Sequence, residues 1–258
     1  MTAAASTRSA RDITDYHSVV TLTRRALRIA TYNVHSCRGL DRRTRPERTA
    51  AVLRAIDADI VALQEVVGPG SHSGGHAEEL GAALGMGWVM APARQVRGHQ
   101  FGNAVLSRLP IVSHTAHELR WRHTQTRCVQ RVDFEIAGRP FHVYNVHLGT
   151  SILERRHQSR RVAKIVVDDD VKGAKIVLGD FNEWLRGIAT RALSASLKSL
   201  DLSHYVGRKA TFPGLLPVLH LDHIYFDGDI EFTSVTVVRN RFSTMASDHL
   251  PVVANILL

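Results

Sequence analysis

The stretch that most constrains this chain is Lys175-Ile176-Val177-Leu178-Gly179-Asp180-Phe181-Asn182. A short apolar run stops at a glycine and gives way to two small polar side chains two positions apart. Such a run reads as a buried strand, and the glycine lets the backbone turn or approach a neighbour closely. The strand then delivers an acid and an amide at its C-terminal end. A plainer alternative is a strand followed by a helix N-cap, because Asp and Asn are favoured caps.

Four other apolar segments adjoin polar residues in the same manner. Leu27 to Tyr32 runs into Asn33, Asp59 to Leu63 into Gln64-Glu65, and Phe141 to Tyr144 into Asn145-Val146-His147. Near the end, Ser247-Asp248-His249 precedes the apolar strand Leu250 to Leu258. Ligands of open α/β sheets commonly bind at a rim of strand ends. Asn, Glu, His, Asp and Asp-His gathered there would make a metal and acid–base site rather than scattered surface polarity. Taken singly, Glu65 is as well explained as an exposed acid at a strand end.

The motifs Thr31-Tyr32-Asn33, Leu63-Gln64-Glu65, Gly102-Asn103-Ala104-Val105-Leu106-Ser107-Arg108, Asn145-Val146-His147-Leu148, Gly179-Asp180-Phe181-Asn182, Leu221-Asp222-His223-Ile224 and Ser247-Asp248-His249-Leu250-Pro251 occur in that order. The chain resembles the endonuclease/exonuclease/phosphatase superfamily, which holds deoxyribonuclease I, neutral sphingomyelinases and inositol polyphosphate 5-phosphatases. Within it the chain looks most like small bacterial members of the YbhP kind. The resemblance runs from about Leu27 to Leu258. It implies a four-layered αββα sandwich of two mixed β-sheets flanked by helices, whereas periodicity alone reads only as mixed α and β.

It also implies a Mg²⁺-dependent phosphoester hydrolase, with Mn²⁺ as the alternative ion. The expected activity is that of a phosphodiesterase on nucleic acid or on a phospholipid or sugar-phosphate head group; a catalytically silent phosphate-binding module is the competing reading. Mg²⁺ takes oxygen ligands and keeps several waters, which suits Glu65 as ligand with Asn33 beside it. Asp248 would be a further ligand or a water-positioning acid. His249 would be the general base or contact the phosphate, with Asp222 fixing its tautomer, a pairing that suits an imidazole titrating near neutrality. Asp180 and Asn182 would orient the attacking water and hold the phosphate; whether Asp180 or His249 takes the proton stays open. His147 would bond the phosphate or protonate the leaving oxygen, as in the deoxyribonuclease I and sphingomyelinase branches. Asn145 and Asn103 fit supporting roles. Arg156 and Arg160, on a helix with four arginines, are phosphate-binding candidates; a solvated outer face is the alternative.

The 258 residues, 44% of them hydrophobic, can build one large domain, expected over residues 26–258 behind a loose leader at 1–25. A weak amphipathic tether is the other reading of that leader. The formal net charge of +9 favours polyanionic partners. No apolar run approaches the roughly 18 residues of a membrane-spanning helix. Cys37 and Cys128 lack the spacing of a zinc site and read as reduced thiols. The expected protein is a cytoplasmic monomer, with peripheral membrane association as an alternative. Along the chain, the spacing predicts a helix opened by Pro46, a loop over Gly68 to Gly75, a helix from His76 to Leu84 and a short strand at Trp88 to Met90. A polar loop at Gln95 to Gln100 and a hairpin turn at Ala137 to Pro140 follow. Helices are expected at Ser151 to Val167 and Trp184 to Leu197, then a Pro- and Gly-containing loop at Ala210 to Leu219.

Overall fold

The computed structural model describes residues 24–70, 74–183 and 187–258. In chain order the elements are β1 (Ala26–Asn33), α1 (Pro46–Ile56), β2 (Ile60–Gly70), α2 (Gly75–Leu84), β3 (Gly87–Val96), β4 (His99–Ser107), β5 (Ser113–Glu118), β6 (Cys128–Ile136), β7 (Arg139–His147), α3 (Ile152–Val166), β8 (Ala174–Asp180), α4 (Ile188–Ser194), β9 (Lys198–Ser199), β10 (Asp222–Asp227), β11 (Glu231–Val237), α5 (Arg241–Ala246) and β12 (Val252–Leu257). Most of the expected leader lies outside the described residues. At its end Arg25 exchanges backbone hydrogen bonds with Leu258.

The strands form two six-stranded sheets, ordered β11-β12-β1-β2-β4-β3 and β5-β6-β7-β8-β10-β9. Each sheet has one parallel pair at its centre, β1 with β2 and β7 with β8. Parallel neighbours need a crossover, and α1 and α3 supply these two. Three apolar layers follow. Ile29, Ile60 and Val105 of one sheet meet Val143, Ile176 and Leu178 of the other. Val52, Leu53 and Leu80 of α1 and α2 cover the outer face of the first sheet. Val162, Val166 and Leu193 of α3 and α4 cover that of the second. This is the αββα sandwich.

Period-2 alternation then places the polar groups. The inward-facing series read Leu27, Ile29, Thr31, Asn33 on β1 and Ile60, Ala62, Gln64 on β2. On β7 they read Phe141, Val143, Asn145, His147, and on β8 Ile176, Leu178, Asp180. Hydrocarbon gives way to a polar side chain along every central strand, always toward the same end. The amide layer ties the sheets together. Asn145 Nδ2 donates to the carbonyls of Leu63 and Ala104 at 2.9 Å each, and its Oδ1 accepts from Gln64 Nε2 at 2.8 Å. Asn103 Nδ2 donates to the carbonyls of Cys128 and Asn145. All three side chains are buried, so each unmade bond would cost the desolvation of its polar group.

Several local expectations are corrected. β2 runs through the expected loop as far as Gly70, and the expected polar loop at 95–100 is the tip of the β3–β4 hairpin, turning at Arg97-Gly98. Partner pairing overrides composition there. The helix expected from Trp184 starts at Ile188, where the Glu183 carboxylate accepts from the backbone of Ala189 and Thr190; residues 184–186 lie outside the described residues. α5 was not foreseen, although Asn240 and Ser243 form a capping box at its start. The Ala137-Gly138 turn is as expected, with both residues at positive φ.

Gly179 sits at φ 143°, and a Cβ there would lie 1.9 Å from the Val146 carbonyl oxygen. Gly179→Ala is therefore expected to lower unfolding stability by about 3 kcal/mol, read as a fall in the urea midpoint. Asn145→Ala takes one partner from Gln64 and one from each of two carbonyls between the sheets and is expected to cost about 2–4 kcal/mol in the same assay.

Candidate active site

The central parallel strands all end at one rim, and the antiparallel neighbours begin there. β1, β2, β7 and β8 bring Asn33, Glu65, His147 and Asp180; the start of β10 brings Asp222, paired in register with Asp180; the approach to β12 brings Asp248 and His249. Glu65 would follow Gln64 onto the opposite face. A β-bulge between Leu63 and Val66, with Glu65 at φ 58°, turns it to the rim instead. Asn182 is likewise left-handed, at φ 50°. Its N–H donates to Asp180 Oδ1 at 2.9 Å and its Nδ2 to the Leu148 carbonyl at 2.8 Å. The helix N-cap alternative for Asp180 is thus not what forms.

One atom collects the site. Asp180 Oδ2 accepts from Asn33 Nδ2 at 2.9 Å and lies 3.6 Å from both His147 Nε2 and His249 Nε2. Asp180 is 1% exposed. Burial pushes its carboxyl up, to about 6, with the His249 charge pulling the other way and Asp222 adding to the rise. His249 Nδ1 lies 3.1 Å from Asp222 Oδ2. Burial disfavours the charge on His249, but Asp222 and Asp180 together outweigh it and raise the ring to about 10. The Phe212 ring packs 5.0 Å from the imidazole, centroid to centroid.

His147 is the opposite case. Burial, assisted by the Arg127 guanidinium and His249, holds it well below the usual imidazole range. Arg127 NH1 stands 3.1 Å from His147 Nδ1. A guanidinium only donates, so Nδ1 accepts and Nε2 carries the hydrogen. That hydrogen faces Asp180 and, at 3.9 Å, Glu65 Oε1.

These groups line a cavity of about 510 Å³ that Glu65, Arg127, His147, Arg155, Asp180, Asn182, Asp248 and His249 share with Phe212, Leu219 and Ile152. Among the described residues no three His, Cys, Asp or Glu gather into a cage. Mg²⁺ asks for less: one or two carboxylates and waters. Glu65 fits, with a partly exposed carboxylate whose nearest donor, Asn33 Nδ2, is 3.5 Å away. Asp248 lines the same cavity, near His35 Nδ1 at 3.5 Å. The Asn33 amide nitrogen faces the carboxylates of Asp180 and Glu65, while its oxygen accepts from the His35 N–H at 3.0 Å.

Asn145 and Asn103 lie below the rim and touch the opposite sheet rather than the cavity. Arg156 and Arg160 line a separate groove along α3 with Trp121 and His157. The arginine of that helix that reaches the cavity is Arg155, whose guanidinium also bonds the Thr150 carbonyl. Arg127, Phe212 and Ser247 were not foreseen. Ser247 Oγ donates to the Asn33 carbonyl at 2.8 Å and so joins β1 to the Asp248-His249 segment. Its place in the Ser-Asp-His triplet was the available signal; Arg127 and Phe212 lie in loops with no periodicity to mark them. His223 turns away and meets the Glu183 carbonyl.

Comparison with known proteins bears on the family and the fold. Residues 30–249 match the model of the endonuclease/exonuclease/phosphatase family. YbhP of Escherichia coli (strain K12) is 32% identical over 252 residues, covering 90% of this chain and 97% of that protein. The mannosyl-6-phosphatase Bt3783 of Bacteroides thetaiotaomicron superposes with a TM-score of 0.73 at 19% identity, over 90% of this chain and 100% of that one. D. rerio TDP2 bound to a single-strand DNA product does so with a TM-score of 0.69 at 15% identity, over 90% and 98%. The two structures share the fold; the family match, spanning the rim residues from β1 to His249, decides the membership. The chain belongs to the endonuclease/exonuclease/phosphatase family, a family of phosphoester hydrolases.

Proposed function

We propose that this chain is a Mg²⁺-dependent phosphodiesterase in which water attacks phosphorus in line with the leaving oxygen. The observation that carries the reading is the convergence of Asn33, His147 and His249, from both sheets, on a single buried oxygen of Asp180. An acid held among donors beside two imidazoles of opposite protonation can take and return protons at a reacting phosphate.

Asp180 takes the proton of the attacking water, oriented with the help of Asn182. His249, kept charged between Asp222 and Asp180, meets the phosphate as a cation. His147 contributes a neutral Nε2–H, and Arg127 and Arg155 add positive charge along the wall. Glu65 and Asp248 would hold the cation, whose chemistry when bound would be charge neutralisation at the phosphoryl and leaving oxygens. Residues 26–258 work as one catalytic unit, since the site draws on both ends of that span. A nucleic acid or an anionic head group is the substrate class that the net charge of +9 supports.

The test is a Mg²⁺ panel of plasmid and oligonucleotide DNA, RNA, phospholipids, inositol phosphates and bis-p-nitrophenyl phosphate. Turnover is expected on at least one diester and is expected to vanish with EDTA and return with Mg²⁺. Asp180→Asn and His249→Ala are each expected to lower kcat by about 10³-fold or more while keeping a cooperative melt. Phosphoester binding with no turnover of any class at saturating Mg²⁺ would leave only the phosphate-binding module.

A further inference from the structure

Large aliphatic side chains stand in solvent on both sides of the active-site mouth. On one side, residues 213–218 form a lobe closed by the Phe212–Leu219 bridge. Leu215, Leu216 and Val218 on it are 63%, 69% and 67% exposed. On the other side, Ile152 and Leu153 open α3 at 63% and 61%. The two sides face each other across the cavity, because Phe212 and Leu219 at the base of the lobe and Ile152 all line it. The lobe is anchored: Gly214 N donates to the Asp248 carbonyl at 2.6 Å, and Leu250 N to the Thr211 carbonyl at 2.8 Å. Its apolar crest is therefore held out rather than loosely placed.

Cations flank these side chains. Arg239 donates to the Leu215 carbonyl at 3.3 Å, which sets a guanidinium beside the lobe. Beyond Leu153, Arg156, Arg160 and Lys164 line the α3 groove with Trp121, whose ring packs 4.5 Å from His157. Aliphatic side chains framed by arginine, lysine and an amphipathic indole match the layered chemistry of a bilayer surface: acyl chains beneath, anionic head groups at the plane. They match nucleic acid poorly, since leucine and valine offer a base neither stacking nor charge.

We propose that the mouth of the site docks on an anionic phospholipid bilayer, the 213–218 lobe and the first turn of α3 dipping into the interface while the α3 cations meet the head groups. Binding itself is independent of catalysis. Its consequence rests on the hydrolase reading: the scissile phosphodiester enters from the head-group plane, directly beneath the cavity.

Co-sedimentation with vesicles of phosphatidylcholine alone, or mixed with phosphatidylglycerol, tests this on the full chain. Binding is expected to the mixed vesicles and weakly to phosphatidylcholine. Each fully immersed aliphatic side chain contributes about tenfold in partitioning, so a Leu215→Ser/Leu216→Ser/Val218→Ser variant should lose between about tenfold, if only one is fully immersed, and about a thousandfold, if all three are, while melting like the wild type. That variant should still turn over bis-p-nitrophenyl phosphate. Asp180→Asn should bind vesicles as well as the wild type, so a failed hydrolase reading would show as lost turnover with binding retained. Equal sedimentation with and without phosphatidylglycerol, or vesicle binding unchanged in the triple-serine variant, would overturn the proposal. So would oligonucleotide binding that depends on Arg156 and Arg160 in a chain that leaves vesicles untouched.

Discussion

A carboxylate taken out of water must find donors or lose its charge, and the buried Asp180 organises the rim around that requirement. Its Oδ1 is met by the Asn182 N–H and its Oδ2 by Asn33, with two imidazoles next in line. Those partners come from β1, from the end of β7 and from the approach to β12. The sheets must therefore be held at a set separation and register before the acid is tolerated at all. The Asn145–Gln64–Thr31 amide and hydroxyl layer, one step below, does this holding.

The same arrangement divides labour between two histidines of one residue type. His249 lies between carboxylates that outweigh its burial and keeps its charge; His147, buried and beside a guanidinium, is held neutral. Nothing in the rings differs. Their neighbours assign them opposite states, a common way for a single fold to run acid and base chemistry together. Left-handed backbone at Glu65 marks where this arrangement is imposed on the chain against local preference, whereas Asn182 is of a residue type that takes that conformation readily.

Outside the cavity, the rim is not an ordinary polar surface. Exposed aliphatic residues are normal when scattered and informative when gathered. Here they gather on two segments that face each other over the cavity, next to a cationic helix. A site that works on phosphates held in a plane would need such a collar.

Much of this was readable in the chain. The central strands Leu27–Asn33, Ile60–Gln64, Phe141–His147 and Ile176–Asp180 announce themselves as apolar runs that end in polar residues; the parallel pairing of β1 with β2 and of β7 with β8 is what carries those ends to one rim. Ordered motifs from Asn33 to His249 carried the family. The extended β3–β4 hairpin was hidden, because its pairing depends on partner strands that a polar composition does not reveal. Glu65 could be singled out by its motif, yet alternation places it on the outer face, and only the bulge brings it round. That Arg155 rather than Arg156 or Arg160 reaches the cavity depends on the angle at which α3 packs on its sheet. Arg127 approaches His147 only once the 121–127 loop is folded over the rim. Local chemistry therefore determined which strands exist and which polar residues stand at their ends; strand pairing and the packing of sheet on sheet decided which way those residues face and which of them touch, because contacts between residues a hundred or more positions apart are set by long-range pairing that no local window contains.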